Sequence, residues 1–222
     1  MTRFFAKALL LLLCSATPAL AQTSRCVIDS TAPWALVNRA WSRSGTTWSN
    51  DSLRRVLLAL EQKDQADRQN FGARAADTAY TRRLEELDRQ TTAVAKEVLD
   101  RFGLPTRSMV GAAGISALFL VVQHSATLQP RLLELAKRAP PGEVPPSSLA
   151  MLEDRILTNS GQPQLYGTQF KPGRDGRWIF APVTDPRGLA ARRENAGLPP
   201  MDLYVCFLEE NGMRVDRSTL PP

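Results

Sequence analysis

The chain has a single histidine, His124, at the C-terminal end of an apolar segment. Near neutral pH an imidazole can act as an acid, a base or a hydrogen-bond donor. Asp64 and Arg68 lie four residues apart on the apolar stripe of an earlier predicted helix. They form either a buried or half-buried ion pair, or the polar lining of a pocket that the helix helps to wall. The pattern therefore offers His124 and Asp64 as an acid/base pair, with a satisfied core histidine as the alternative.

Further polar side chains lie on separate predicted elements. The stretch "QPQLYGTQF" places amides and a hydroxyl around a Tyr-Gly step, directly before a strand-like segment. Asp154 and Arg155 lie off the apolar stripe of the preceding helix, where a solvated face is the alternative. The predicted ligand-binding residues are Arg68, Gln123, Asp154, Arg155, Gln164, Tyr166, Thr168 and Gln169. They either line one pocket with the His124 helix or satisfy backbone groups and lock the fold.

Composition indicates the class of protein. The 222 residues are 43% hydrophobic and 23% charged, which fits one globular domain. Basic residues exceed acidic ones by 28 to 22, but they are scattered singly or in pairs such as Arg54-Arg55 and Arg192-Arg193. A surface that follows a phosphate backbone needs clustered basic residues, so nucleic acid is not expected as a partner.

The N-terminus has the pattern of a secretory signal. Arg3 and Lys7 precede an apolar run over residues 8–14, and the small-residue pattern of residues 19–21 predicts cleavage after Ala21. A lipoprotein signal acylated at Cys14 is the less favoured alternative, because Leu13 is bulky. No later run reaches the roughly 18 apolar residues of a membrane span. We therefore expect an exported protein, periplasmic or secreted, without a transmembrane span after cleavage.

Two cysteines follow the predicted cleavage site, Cys26 and Cys206. In an oxidising compartment an even pair predicts a disulfide, which here would tie the two ends of the chain together. Two separate buried thiols are the alternative.

The hydrophobic periodicity predicts a mainly α fold. We expect a single-domain helical bundle around a buried apolar helix over about residues 110–124, with one small β-hairpin over about residues 165–182. The Asp175-Gly176 step is the turn signal of that hairpin. A helix that runs to about Phe71 would carry Asp64 and Arg68. The next helix, over about residues 78–102, has an apolar face that includes Tyr80, Leu84, Leu87, Val94, Val98 and Phe102.

The expected domain organisation has four parts. Residues 1–21 are the signal, 22–50 a tryptophan-containing segment, 51–208 the helical domain with the hairpin, and 209–222 a tail. In the second part Trp34, Trp41 and Trp48 recur every seven residues. An exposed row of tryptophans could stack on sugars, whereas buried ones pack this segment onto the domain.

Several established mechanisms have no motif here. The sequence contains no CxxC, HExxH, P-loop or G-x-S-x-G pattern. With one histidine, a zinc site would need three carboxylate or cysteine ligands, an uncommon set. We therefore predict neither a metal nor a cofactor.

Six motifs occur in an order typical of one bacterial family. They are "DQADR" (64–68), "GLPTRSMVG" (103–111), "VVQH" (121–124), "LEDRI" (152–156), "QLYGTQF" (164–170) and "DPRGLAARRENAGL" (185–198). Over roughly residues 53–204 the chain resembles domain of unknown function 6624. The resemblance implies a shared fold and a shared pocket, and lends no activity. The chain departs from the family pattern at Leu104, where an aromatic residue is usual, and at Ser125-Ala126, where Ala-Asp often follows the histidine.

Three functions remain open at this point. The favoured one is an exported domain that binds a small polar or envelope-derived ligand through Arg68, Arg155 and the glutamines. The second is a hydrolase or transferase with His124 and Asp64 as acid/base, which requires that His124 be reachable. The third is a structural or interaction module in which the polar network only stabilises the fold.

Overall fold

The computed structural model describes residues 26–43, 47–68, 74, 77–173 and 175–221. The predicted signal segment, residues 1–21, lies outside these ranges. The chain divides into two compact units. One is Ala40–Leu152, and the other joins Glu153–Pro222 with the N-terminal part of the chain up to Arg39.

Most of the described chain is helical. The helices are α1 (Pro33–Arg43), α2 (Asp51–Ala66), α3 (Thr78–Phe102), α4 (Arg107–Val122), α5 (Gln129–Lys137), α6 (Pro146–Asn159), α7 (Leu189–Asn195) and α8 (Met201–Glu210). Strands β1 (Phe170–Pro172) and β2 (Trp178–Phe180) form an antiparallel hairpin, and two short 3-10 helices span Pro186–Gly188 and Arg217–Thr219. The predicted mainly helical fold with one small hairpin is confirmed. Within the described residues, no helix is long and apolar enough to cross a membrane.

Helix α4 is the core of the 40–152 unit. Ile115, Leu118 and Val122 are fully buried, and α2 and α3 both pack against this helix. The predicted buried apolar helix is therefore confirmed, although Ala113 reaches solvent. Gly111 interrupts the helical geometry with φ 73°, and Trp48 lies so close that a β-carbon at this position would be 3.2 Å from its ring. Glycine suits both the positive φ and the close approach.

The end of α2 and the buried face of α3 differ from the expectation. The Asn50 side chain caps α2 by accepting a hydrogen bond from the amide of Leu53, and the helix ends at Ala66 rather than near Phe71, which lies outside the described residues. Val94 and Phe102 of α3 are 36% and 37% exposed, so their assignment to the buried face is wrong. Over 25 residues the buried stripe moves around the helix toward Ala95 and Leu99.

The hairpin organises the unit formed by Glu153–Pro222 and the N-terminal part of the chain. Phe170 is paired with Phe180, and the two rings meet edge to face with centroids 5.4 Å apart. The core around them contains Leu189, Tyr204, Val205, Leu208, Met213 and Val215. The strands are shorter than the predicted 165–182 hairpin, because the residues before Phe170 form a loop instead.

The cysteine and tryptophan alternatives are both resolved. Cys26 and Cys206 form a disulfide with their α-carbons 5.8 Å apart, as predicted. Trp34 and Trp41 are only 6% and 8% exposed, so an exposed sugar-stacking row is wrong and the packing interpretation holds for these two. Trp48 is half-buried beneath the Arg54 guanidinium.

Candidate functional site

All the predicted catalytic and ligand-binding residues except Gln123 fall into two groups, each within one unit and each with further members that were not predicted. The first, here called the Asp64 cluster, comprises Asp64, Gln65, Arg68, Asp88 and His124 of the 40–152 unit. The second, here called the Asp154 group, comprises Asp154, Arg155, Gln164, Tyr166, Thr168, Gln169, Arg193 and Tyr204 of the other unit. Asp64, Arg68, Asp154 and Arg155 are all buried, so a solvated face is wrong for Asp154 and Arg155.

Asp64 is the centre of its cluster. Its carboxylate lies 3.0 Å from His124 Nδ1, and this contact joins the last turn of α2 to the second residue after the end of α4. Arg68, one turn further along the chain, donates from Nε and Nη2 to the two carboxylate oxygens, each at 3.2 Å. A bidentate guanidinium fixes the plane of the carboxylate. Asp64 and Arg68 therefore form the buried ion pair that their spacing allowed, and Asp64 orients His124.

Two members of the cluster were missed from sequence. Asp88 of α3 forms a buried ion pair with Arg68, and Gln65 donates from Nε2 to Asp64 at 2.6 Å. Asp88 follows Leu84 by four residues on the buried stripe of α3. A carboxylate on an apolar stripe is the same signal that identified Asp64, so Asp88 was detectable in principle. Gln65 carried no such signal.

Charge in the cluster is set by burial and by these contacts. Burial lowers the pKa of His124 below its ordinary 6.5, and this outweighs the neighbouring Asp64, which raises it. Burial raises the pKa of Asp64, but the hydrogen bonds and charges of His124 and Arg68 bring it below its ordinary value. At pH 7 Asp64 is therefore ionised and His124 neutral. Because a carboxylate only accepts, Nδ1 carries the imidazole proton and Nε2 keeps its lone pair.

Two buried polar atoms of the cluster have no hydrogen-bond partner among the described residues. Within the part of the chain that the structure describes, neither Arg68 Nη1 nor Gln65 Oε1 makes a hydrogen bond. Arg68 is 5% exposed and Gln65 9% exposed. Each atom belongs to a planar group that already contacts Asp64. Gln65 Oε1 shares its carbon with Nε2, and Arg68 Nη1 shares its carbon with Nε and Nη2, which donate to that carboxylate. One unused donor and one unused acceptor therefore belong to side chains that hydrogen-bond the same carboxylate as His124.

The cluster does not have the electrostatics of a metal centre. Asp64, Asp88 and His124 each offer a ligand atom, and these atoms lie within 4.8 Å of one another. However, the Arg68 guanidinium contacts both carboxylates. It already supplies the positive charge that a cation would bring, and a bound cation would be repelled by it. The donor set therefore fits a hydrogen-bonding role.

Gln123 is buried at the end of α4, beside His124 in the chain. The backbone carbonyl oxygen of Gln123 accepts a hydrogen bond from Gln129 Nε2 at 2.8 Å. This bond joins the end of α4 to the start of α5. A ligand-binding role for the Gln123 side chain stays a prediction.

Asp154 organises the loop that contains Tyr166-Gly167. Its carboxylate accepts hydrogen bonds from the amides of Leu165, Tyr166 and Thr168 at 2.7, 2.9 and 3.0 Å, and one from the Thr168 hydroxyl at 2.9 Å. Burial raises the pKa of Asp154, while the amide hydrogen bonds oppose that rise. Gly167 has φ 69°, and a β-carbon there would be 2.7 Å from Met201. The Tyr-Gly step is thus a tight turn around one carboxylate.

The side chains of both glutamines of the loop hydrogen-bond within this unit, and Gln164 binds backbone groups. Gln164 donates from Nε2 to the carbonyls of Gln169 and Ala181, and its Oε1 accepts from the amide of Gln169. Gln169 donates to the Thr168 hydroxyl. Gln164 therefore fastens the loop before β1 to the residue after β2.

Arg193 is a buried member of the group that the sequence did not reveal. It is 1% exposed and donates to the carbonyls of Tyr166, Gly167 and Pro199. Burial lowers its pKa to about 10, so it stays protonated at neutral pH. As half of a basic pair, it had the pattern of a surface residue.

Arg155 and Tyr204 complete the Asp154 group. Burial lowers the pKa of Arg155 to about 10 and raises the pKa of Tyr204 to about 12. The Tyr204 hydroxyl donates to the carbonyl of Thr168 at 3.1 Å. Side chains of this group therefore satisfy the backbone of the loop, as the fold-locking alternative expected. Ligand binding by the same residues stays a prediction.

The fold and these two groups define a mainly helical protein with a buried carboxylate, guanidinium and imidazole cluster. The chain belongs to the family described as "Family of unknown function (DUF6624)", whose model matches residues 51–216. The resemblance seen in the sequence is thereby confirmed, and the matched range contains both groups. Comparisons with curated proteins and with solved structures give no match.

Proposed function

We propose that the protein binds a small polar ligand at the Asp64 cluster. The observation that carries this proposal is the pair of buried atoms, Arg68 Nη1 and Gln65 Oε1, without a partner among the described residues. An unsatisfied buried polar group costs about 1–3 kcal/mol. A ligand that pairs with both atoms recovers that cost. The His124 imidazole belongs to the same cluster, because its Nδ1 contacts the carboxylate that Gln65 and Arg68 also bind.

The Asp154 group has a different part in this proposal. Its side chains hydrogen-bond mainly to the backbone of residues 164–169 and to nearby carbonyls, as seen for Asp154, Gln164 and Arg193. A network of this kind holds a loop in one conformation. We therefore propose that the Asp154 group braces its own unit, and that the first contacts to a ligand come from the Asp64 cluster.

Because His124 is the only histidine, its imidazole signals report directly on the cluster. Acetamide, acetate and methylammonium, titrated separately into protein with isotope-labelled histidine, present a neutral, an anionic and a cationic group. We expect at least one of them to shift the His124 signals with saturation. Asp64→Asn should weaken that response, since the carboxylate that orients the ring is lost.

Asp100→Asn serves as the matched control, because it removes the same charge from an exposed position on α3. It should leave the response unchanged. If none of the three compounds shifts His124 in the folded wild-type protein, the binding proposal is wrong. The cluster would then be a structural network, and His124→Gln would lower only the melting temperature.

Acid/base catalysis by a hydrolase or transferase is the second candidate, and it needs substrate access to His124, which is only 5% exposed in this structure. It is favoured by the contact between Asp64 and His124 Nδ1 at 3.0 Å. A carboxylate at Nδ1 fixes the tautomer and leaves Nε2 as the proton acceptor, which is the arrangement used in catalytic dyads and triads. The lowered pKa of His124 keeps Nε2 unprotonated at neutral pH.

The titration of His124 tests this electrostatic arrangement. The folded pKa of His124 lies below 6.5, so the stability contributed by neutral His124 is present above pH 6.5 and is lost as the pH falls through the folded pKa. Asp64 raises the pKa of His124, so Asp64→Asn should move the NMR midpoint to lower pH. A midpoint that is unchanged or moves to higher pH would contradict the coupling, and Asp100→Asn should not move it.

We also propose that the protein is exported. The N-terminal signal pattern supports this, and a disulfide is typical of an oxidising compartment. The intact mass of the protein from its bacterial host should correspond to a chain that starts at Gln22. A cytosolic chain that still carries residues 1–21 would contradict export.

A further inference from the structure

We propose that the Asp64 cluster recognises a neutral group that both donates and accepts hydrogen bonds, with a carboxamide as the best match. This inference rests on the proposed binding function and names the chemistry of its ligand. It follows from the charges around Asp64 and from the two buried atoms that lack a partner.

The charges of the cluster disfavour an anion. Asp64 and Asp88 are two buried carboxylates, and the Arg68 guanidinium contacts both of them. Glu61 is half-buried one turn before Asp64 on α2, and its pKa is raised by burial and, to a smaller extent, by the Asp64 charge. With His124 neutral, the carboxylates named here carry more negative charge than the Arg68 guanidinium balances. A carboxylate or phosphate ligand would meet repulsion in a buried site, where screening is weak.

Hydrogen bonding disfavours a simple ammonium group. The guanidinium nitrogen Arg68 Nη1 can only donate, so it needs an acceptor on the ligand. Gln65 Oε1 can only accept, and His124 Nε2 accepts while Nδ1 donates to Asp64. An ammonium group has three donors and no acceptor, so it leaves Arg68 Nη1 unpaired. A carboxylate has no donor for Gln65 or His124.

A carboxamide supplies both the acceptor and the donor that the two buried atoms need. Its carbonyl oxygen is an acceptor for Arg68 Nη1, and its N–H groups are donors for Gln65 Oε1 or His124 Nε2. It adds no charge to a cluster that already has a negative excess. Amide groups of this kind occur in free amides, in peptides and in N-acetylated sugars, and the cluster distinguishes these only through contacts beyond the group itself.

The relative affinities of the three small compounds test the inference. At matched ionic strength, acetamide should bind about tenfold or more tightly than acetate or methylammonium, which is the effect of one additional hydrogen bond. Glu61→Gln should narrow the difference in affinity between acetamide and acetate, because it removes a negative charge that repels acetate near Asp64. Asp100→Asn should leave that difference as it is.

The outcomes separate this inference from the binding proposal. If acetate or methylammonium binds as tightly as acetamide, the inference is wrong and the binding function stands. If none of the three compounds shifts the His124 signals, the site holds only solvent or nothing. The carboxamide inference and the binding proposal are then both wrong. Gln65→Met provides a second variant that keeps Asp64 and His124 intact. It should reduce acetamide binding several-fold without a comparable loss of acetate binding, because acetate has no donor for Gln65 Oε1; an equal loss for both compounds would contradict the role of Gln65 Oε1.

Discussion

Asp154→Ala is expected to lower the free energy of unfolding by about 3–5 kcal/mol. The substitution removes an acceptor of four hydrogen bonds in a fully buried position. Three of the donors are backbone amides of a tight loop, and they cannot turn toward water without unfolding it. The loss should appear in urea denaturation of the purified protein and as protease sensitivity within residues 164–169.

Two other substitutions make this prediction specific. Asp154→Asn keeps one acceptor oxygen but places an N–H group opposite donors of the loop, so its loss of stability should be substantial. Asp202→Ala, at an exposed position in the first turn of α8, should change stability by no more than about 0.5 kcal/mol. If Asp154→Ala stays within about 1 kcal/mol of wild type, the carboxylate is not the organiser of the loop.

Replacing both Cys26 and Cys206 by serine is expected to cost about 2–5 kcal/mol. The disulfide closes a loop with a sequence separation of 180 residues, so its loss gives the unfolded chain much more conformational freedom. It also anchors the start of the described chain to α8. The loss should be largest for the unit that contains both cysteines, and chemical denaturation with and without reductant measures it.

The reductant provides the internal control for this second prediction. Wild-type protein should approach the stability of the double variant once it is reduced, while the variant should not respond to reductant. Two free thiols in unfolded, unreduced wild-type protein would show that the bond is absent. A double variant as stable as the oxidised wild type would show that the bond does not stabilise the fold.

Much of the fold was predictable because it is encoded locally. The apolar run of α4 indicates a buried helix whatever surrounds it, and Asp175-Gly176 marks the hairpin turn. Val94 and Phe102 were misassigned because a single stripe extrapolated over 25 residues ignores which neighbours pack on each turn. The hairpin was predicted too long, because the run that holds Tyr166 and Phe170 resembles a strand, whereas the amides of Leu165, Tyr166 and Thr168 turn toward Asp154.

The candidate site was predictable only in part. His124 stood out as the only histidine, and Asp64 and Arg68 stood out as charges on an apolar stripe. Asp88 is on another helix, and its pairing with Arg68 depends on how α2 and α3 pack. Arg193 resembled a surface residue, because the carbonyls that it binds belong to residues up to 27 positions away.

The sequence by itself determined the helical pattern, the single histidine, the cysteine pair and the resemblance to the family. These features depend on residue type and on spacing along one element. Only the tertiary structure decided that Asp64 binds His124, that Arg68 joins two carboxylates, and that the loop amides converge on Asp154. Such contacts join residues distant in the chain, and they are fixed by packing, which periodicity along one segment does not specify.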